Sequence, residues 1–253
     1  MSARAKVNAR ELLDKYSIKH PNEMDIRKVA NEENLMIKEE DTKGHIGRIF
    51  IEGDAGIITI DSKIKEEGRK NFTIGHEFGH FRLAKEREFY CNNSDIMNFW
   101  QHKNHEQESN IFAAELLMPE EWIKQFVKWK GEAIETLEEA AVMFGTTMSS
   151  MSLRYAECGK FPTAVIFSQE GRVKWSRISE DFPLQWIENG QKVNDYSKAS
   201  DFYKGKEIGK EKEDILADAW FAKDRNFEKG KYFYEQNVGM RRLNGVLTFV
   251  WDD

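Results

Sequence analysis

His76-Glu77-Phe78-Gly79-His80 places two imidazoles four residues apart with a carboxylate beside the first. On a helix, residues at that spacing share one face, so two ring nitrogens can grip one Zn²⁺. Glu77 can then reach a metal-bound water and take its proton. That is the chemistry of a hydrolase. The chain before the motif supports a helix. Asn71-Phe72-Thr73-Ile74 is apolar at intervals, and no proline interrupts the sequence from there to Tyr90.

Two histidines do not complete a catalytic zinc site, which usually has three protein ligands and one position open to water. A glycine three residues after His80 and a histidine six residues after it would supply the third ligand locally, but Leu83 and Glu86 stand there. Glu86 could reach the metal from just past the helix. A better candidate is the helical segment that follows, Glu106-Gln107-Glu108-Ser109-Asn110-Ile111-Phe112-Ala113-Ala114-Glu115-Leu116-Leu117. Its Ala113 and Ala114 allow close packing on the first helix. Glu106, Asn110, Ala113 and Leu117 form one stripe, and a carboxylate at its start can point at the metal. Glu108 and Glu115 fall on other faces and are expected to be solvated. An oxyanion donor is also required. Tyr90, His102 and His105 are near in sequence, and nothing in the sequence selects among them.

The elements that must carry these residues are legible from periodicity. Residues 8–17 and 25–34 read as helices around Pro21-Asn22-Glu23. Leu35-Met36-Ile37, Ile46 to Ile51 and Ile57 to Ile60 read as strands, with Gly53-Asp54-Ala55-Gly56 as a turn. The expectation is a small antiparallel sheet in front of the metal helix. A strand edge there could pair with an extended peptide. Residues 120–158 read as helical. Leu137 to Met143, a turn at Gly145, and Met148 to Tyr155 have the outline of a helix-turn-helix. The second helix of that pair carries one basic residue, Arg154. A DNA reader needs more donors to bases and phosphates, so packing or protein docking is the expected role. Residues 161–253 read as α+β. Thr163 to Phe167 and Arg172 to Trp175 flank a Gln169-Glu170-Gly171 turn. Asp218 to Phe221, Tyr232 to Glu235 and Val246 to Trp251 read as further strands, and 204–213 as a solvated charged run.

Composition narrows the setting. The net charge of −6 argues against general nucleic-acid binding. The longest apolar runs, such as Ala164-Val165-Ile166-Phe167, are too short to span a bilayer. The start of the chain leads into Ala9-Arg10-Glu11-Leu12-Leu13, which is not a secretory apolar core. Cys91 and Cys158 are therefore expected as reduced thiols of a cytoplasmic protein.

Phe72-Thr73-Ile74-Gly75-His76-Glu77-Phe78-Gly79-His80, followed by Asn110-Ile111-Phe112-Ala113-Ala114-Glu115-Leu116-Leu117-Met118-Pro119, resembles the ImmA/IrrE family of metallopeptidases. The resemblance covers about residues 8 to 120 well. It puts Glu106 in the place of the third zinc ligand beside His76 and His80, and Glu77 in that of the base. Ser109 stands where alanine is usual. The resemblance implies an α+β chain in three parts: a small zincin-like metallopeptidase domain over 1–120, a helix-turn-helix-like segment over 121–160, and an α+β domain over 161–253 that resembles a GAF-like sensory domain. It implies a zinc-dependent peptidase acting on a helix-turn-helix (XRE-type) repressor in stress, phage or mobile-element regulation. The alternative is a metal-dependent protein that sequesters a transcription factor without cutting it. Mn²⁺ could also occupy a site with an oxygen ligand.

Overall fold

Apolar residues at Ala5, Ala9, Leu12 and Leu13 give the first helix, α1 (Ala3–Lys15), a single buried face. The computed structural model that places it describes residues 3–83, 105–128 and 133–252, together with the backbone of 88–91. The chain divides into two compact units, Met1–Trp122 with Ala141–Thr147, and Ile123–Ala140 with Met148–Asp253.

In the first unit, α2 (Ile26–Glu32) starts at Asp25, whose carboxylate accepts from the amides of Arg27 and Lys28. Three strands follow, β1 (Leu35–Glu40), β2 (Gly47–Glu52) and β3 (Ala55–Asp61). Gly53 makes the tight β2–β3 turn at φ +64, a conformation that favours glycine. A short fourth strand, β4 (Glu88–Cys91), pairs with β2, and the sheet order is β1-β3-β2-β4. The sheet is mixed rather than antiparallel as expected, because β1 runs parallel to β3. The chain reverses once between β1 and β2 and again in the β2–β3 hairpin, and β3 then inserts between them. Two reversals leave β1 and β3 pointing the same way. Apolar alternation marks which side of a strand is buried but not which strand is its neighbour.

The next helix, α3 (Glu67–Leu83), is buried without a break from Phe72 to His80. It is therefore a central helix and not an amphipathic surface one. The helix that meets it, α4 (His105–Leu117), is likewise buried from Ser109 to Leu117. Glycines let the two approach closely. A Cβ on Gly75 would stand 3.2 Å from the Cβ of Ala113, and one on Gly79 would stand 2.8 Å from the Cα of Ser109. Phe78 and Phe112 meet edge-on across the same contact, with centroids 5.6 Å apart, a geometry that adds about 1 kcal/mol to the burial itself.

After α5 (Glu120–Phe126) come α6 (Ala133–Met143) and α7 (Met148–Cys158), joined through Gly145 at φ +58. Arg154 of α7 is buried, and its guanidinium lies 3.0 Å from Glu157. The second unit is built on β5 (Thr163–Gln169), β6 (Arg172–Ile178), β7 (Glu213–Leu216), β8 (Tyr232–Met240) and β9 (Gly245–Trp251), antiparallel in the order β6-β5-β9-β8-β7. Glu170 and Gly171, at φ +54 and +70, close the expected β5–β6 hairpin. Both faces of this sheet are covered. Ala164, Ile166, Val246 and Val250 join a core with Phe182, Trp220, Phe221 and Phe233, while Val165, Leu247 and Phe249 are also fully buried. On β8, Gln236 Oε1 accepts from the first amides of α6, Ala133 at 2.6 Å and Ile134 at 3.3 Å. Those amides have no partner within a helix, so the cap ties α6 to the sheet.

One expectation for this unit is corrected. Asp218–Phe221 is not a strand but a helical turn, α9, preceded by the short α8 (Ala199–Tyr203). Ala219-Trp220-Phe221 is a buried apolar run too short to have a period that separates strand from helix. The helical form aims Trp220 Nε1 at the buried carboxylate of Glu235, 3.0 Å away. The charged run from 204 is an exposed loop, in keeping with the solvated run expected there, and it leads directly into β7, a strand too polar to be expected.

Candidate active site

His76 and His80 lie one turn apart on α3, fully buried, with their ring centroids 4.7 Å apart. Their Nε2 atoms converge to 3.1 Å. Glu106, from the first turn of α4, brings Oε2 within 3.1 Å of His76 Nε2 and Oε1 within 3.3 Å of His80 Nε2. The three sequence-derived ligand candidates are thus brought together from two helices. Among the described residues they form the one cluster of three or more His, Cys, Asp or Glu side chains that could hold a metal.

The donor set fits zinc by its spacing. Ligand atoms about 2.0–2.1 Å from a tetrahedral Zn²⁺ stand roughly 3.3 Å from one another. The two Nε2 atoms stand 3.1 Å apart, near that spacing, and one Glu106 oxygen lies beside each of them, Oε2 3.1 Å from His76 and Oε1 3.3 Å from His80. The electrostatics of the three groups are set by burial and by their bonds to one another. Burial pushes the Glu106 carboxyl up, but its bonds to His76 and then His80 outweigh this and hold it far below the usual carboxylate range. Burial disfavours charge on both rings. At His76 it is overcome by the bond to Glu106 and the charge of Glu77, so that ring is raised; at His80 burial wins and the ring is lowered.

Glu77 is buried and turned toward β2. A Cβ on Gly47, the first residue of that strand, would stand 2.6 Å from Glu77 Oε1 and 2.6 Å from Thr73 Cγ2. Gly47 therefore makes room for the carboxylate against the sheet. Sequence reading passed over Gly47, although a glycine inside a strand is a signal of close approach. It also assigned no role to Asn110, whose Oδ1 lies 2.8 Å from His76 Nδ1.

Of the other carboxylates, Glu108 is half-buried on α4. Glu115 is not solvated as expected. It is fully buried and lies 2.7 Å from Arg10 Nε of α1. Arg10 of α1 meets the face of α4 that carries Glu115, a relation that periodicity along α4 does not reveal. His105 is exposed at the start of α4. Glu86, His102 and the side chain of Tyr90 lie outside the described residues.

A His-Glu-x-x-His helix completed by a carboxylate from a second helix defines a site of the metallopeptidase class. The comparison of families narrows this. Residues 30–155 match the family model of peptidase M78, the IrrE N-terminal-like domain, and the chain belongs to this ImmA/IrrE family of metallopeptidases. Among curated proteins no sequence matches. Among solved structures, a Mycobacterium tuberculosis transcriptional regulator is similar in fold, with a TM-score of 0.61 at 9% identity, covering 98% of this chain and 76% of that one. No helix among the described residues is long and apolar enough to cross a membrane.

Proposed function

We propose that this protein is a zinc-dependent endopeptidase of the cytoplasm that cleaves a helix-turn-helix repressor of the XRE type, in a stress, phage or mobile-element response. The observation that carries the reading is the convergence of donor atoms from His76, His80 and Glu106, with the Glu77 carboxylate buried on the same helix as the two histidines. Bound there, Zn²⁺ (or Mn²⁺) supplies a Lewis acid for the scissile carbonyl and lowers the pKa of a water. Glu77 would be the group that takes a proton from the attacking water and passes it to the leaving amine. Gly47 leaves the space in which its carboxylate stands. His76 and His80 act through Nε2, and Glu106 contributes the negative charge. In this reading residues 1–120 form a zincin-like catalytic domain, 121–160 a helix-turn-helix-like segment, and 161–253 a GAF-like domain that holds the repressor or responds to a signal. Support for the last is the five-stranded antiparallel sheet with helices on it. The inward-turned Arg154 supports a protein partner over DNA for the helical segment.

The test is mass spectrometry of repressors encoded beside the protein, incubated with wild type and with Glu77→Gln, with and without Zn²⁺. A single metal-dependent cut by wild type only, with unfolded casein left largely intact, is expected. A stable complex without a cut would give the protein a sequestering role instead. Efficient digestion of casein and indifference to every repressor would refute the proposal.

A further inference from the structure

Asn110 sits one turn beyond Glu106 on α4, and both side chains reach the same ring. Glu106 Oε2 meets the Nε2 edge of His76 at 3.1 Å, and Asn110 Oδ1 meets the Nδ1 edge at 2.8 Å. Asn110 is 1% exposed and His76 is 0% exposed. The contact is thus made away from water, where a hydrogen bond is both stronger and harder to replace.

The chemistry of the two atoms sets the proton. A carboxamide oxygen only accepts, so Nδ1 must be the donor. A neutral imidazole with its hydrogen on Nδ1 has its lone pair on Nε2, the nitrogen that faces His80 and Glu106. Had the amide presented Nδ2 instead, the neutral ring would have to accept at Nδ1. Its hydrogen would then lie on Nε2 and no ligand lone pair would remain there. We infer that Asn110 is a positioning residue for the metal: it holds His76 in the Nδ1–H tautomer and in the ring orientation that aims Nε2 at the site. This rests on the metal reading given above.

The two contacts are also coupled. The close packing of Gly75 on Ala113 and Gly79 on Ser109 sets the height of α4 along α3. At that height the i, i+4 pair Glu106 and Asn110 grips opposite edges of His76. One helix therefore delivers both a ligand and the group that orients another ligand. A sliding of α4 would lose the two together. Partners of ligating histidines in this role change metal affinity by about 10- to 100-fold.

The experiment measures zinc affinity of the full chain by competition with a chromophoric chelator, alongside circular dichroism, for wild type, Asn110→Ala, Asn110→Leu and Asn110→Asp. Wild type should bind one Zn²⁺. Asn110→Ala and Asn110→Leu should bind roughly 10- to 100-fold more weakly with the helical signal kept. Asn110→Asp retains an acceptor and should bind as tightly as wild type or more so. A second readout is the Nδ1–H proton of His76 in ¹⁵N-histidine-labelled, zinc-loaded wild type. It should be present, slow to exchange, and absent in His76→Ala. Equal affinity in wild type and Asn110→Ala, or an Asn110→Asp as weak as Asn110→Ala, would overturn the inference while leaving the metal site standing. Zinc-loaded wild type in which His76 carries its hydrogen on Nε2 would overturn it regardless of how any variant folds. No zinc uptake by wild type would remove the metal reading itself and the inference with it.

Discussion

Gly47 and Glu77, thirty residues apart in sequence, are in contact where β2 begins beside α3: a methyl group added to Gly47 would stand 2.6 Å from the Glu77 carboxylate. The Glu77 carboxylate is therefore seated against the start of the strand, and the seat exists because one residue lacks a side chain.

Gly47→Ala should displace the Glu77 carboxylate without touching the metal donors. A displacement on the order of 1 Å can cost about 100-fold in rate. Repressor cleavage should fall by that order while zinc content stays stoichiometric. A variant that cleaves at the wild-type rate would show that the carboxylate does not need this position.

Glu77 and Glu106 should separate cleanly. Glu77→Gln keeps the shape but cannot take a proton, so turnover should fall by about 10²- to 10⁴-fold with zinc retained. Glu106→Ala and His76→Ala should strip the metal in elemental analysis. Glu108→Ala should do neither. Zinc lost from Glu108→Ala and kept in Glu106→Ala would reassign the third ligand.

Arg10 ties α1 to α4. Its Nε lies 2.7 Å from Glu115, which is fully buried. Arg10→Ala removes one charged partner of that carboxylate and, with the Arg10 side chain 44% exposed, should cost about 1 kcal/mol in urea denaturation. Because α4 also carries Glu106, zinc affinity should fall with it. Arg10→Ala combined with Glu115→Gln should recover part of the stability. No change on Arg10→Ala would make the pair a surface contact of little weight.

Glu235 is a buried carboxylate in the second unit. It accepts from Ser197 Oγ, the Lys198 amide, Trp220 Nε1 and Asn237 Nδ2. Burial raises it above its ordinary value of 4.5, and the donors oppose this without cancelling it. The sign follows from linkage. Below pH 4.5 both folded and unfolded forms are protonated and the group is neutral to stability. As pH rises past that value the unfolded chain ionises first, so stability falls until the folded carboxyl ionises too, and is level beyond. In denaturation of wild type and Glu235→Gln across this range, the advantage of wild type should shrink as pH rises. An advantage that grows with pH would mean that the donors outweigh burial.

The metal motif was legible because its donors are local. His76, Glu77 and His80 lie within one turn and a half of helix, so spacing alone sets their geometry. Glu106 was within reach because its stripe with Asn110, Ala113 and Leu117 points one way. Strand positions and the β5–β6 turn followed from alternation and from Glu170-Gly171. What the sequence left open are relations between distant segments. Whether β1 pairs with β2 or β3, whether Asp218–Phe221 extends or coils, and that α1 shields Glu115 are each settled by which surface arrives against which. The seats of Glu77 at Gly47 and of His76 at Asn110 belong to the same class. A side chain's type states what it can donate or accept. Only packing decides which atom, from thirty residues away, stands close enough to use it.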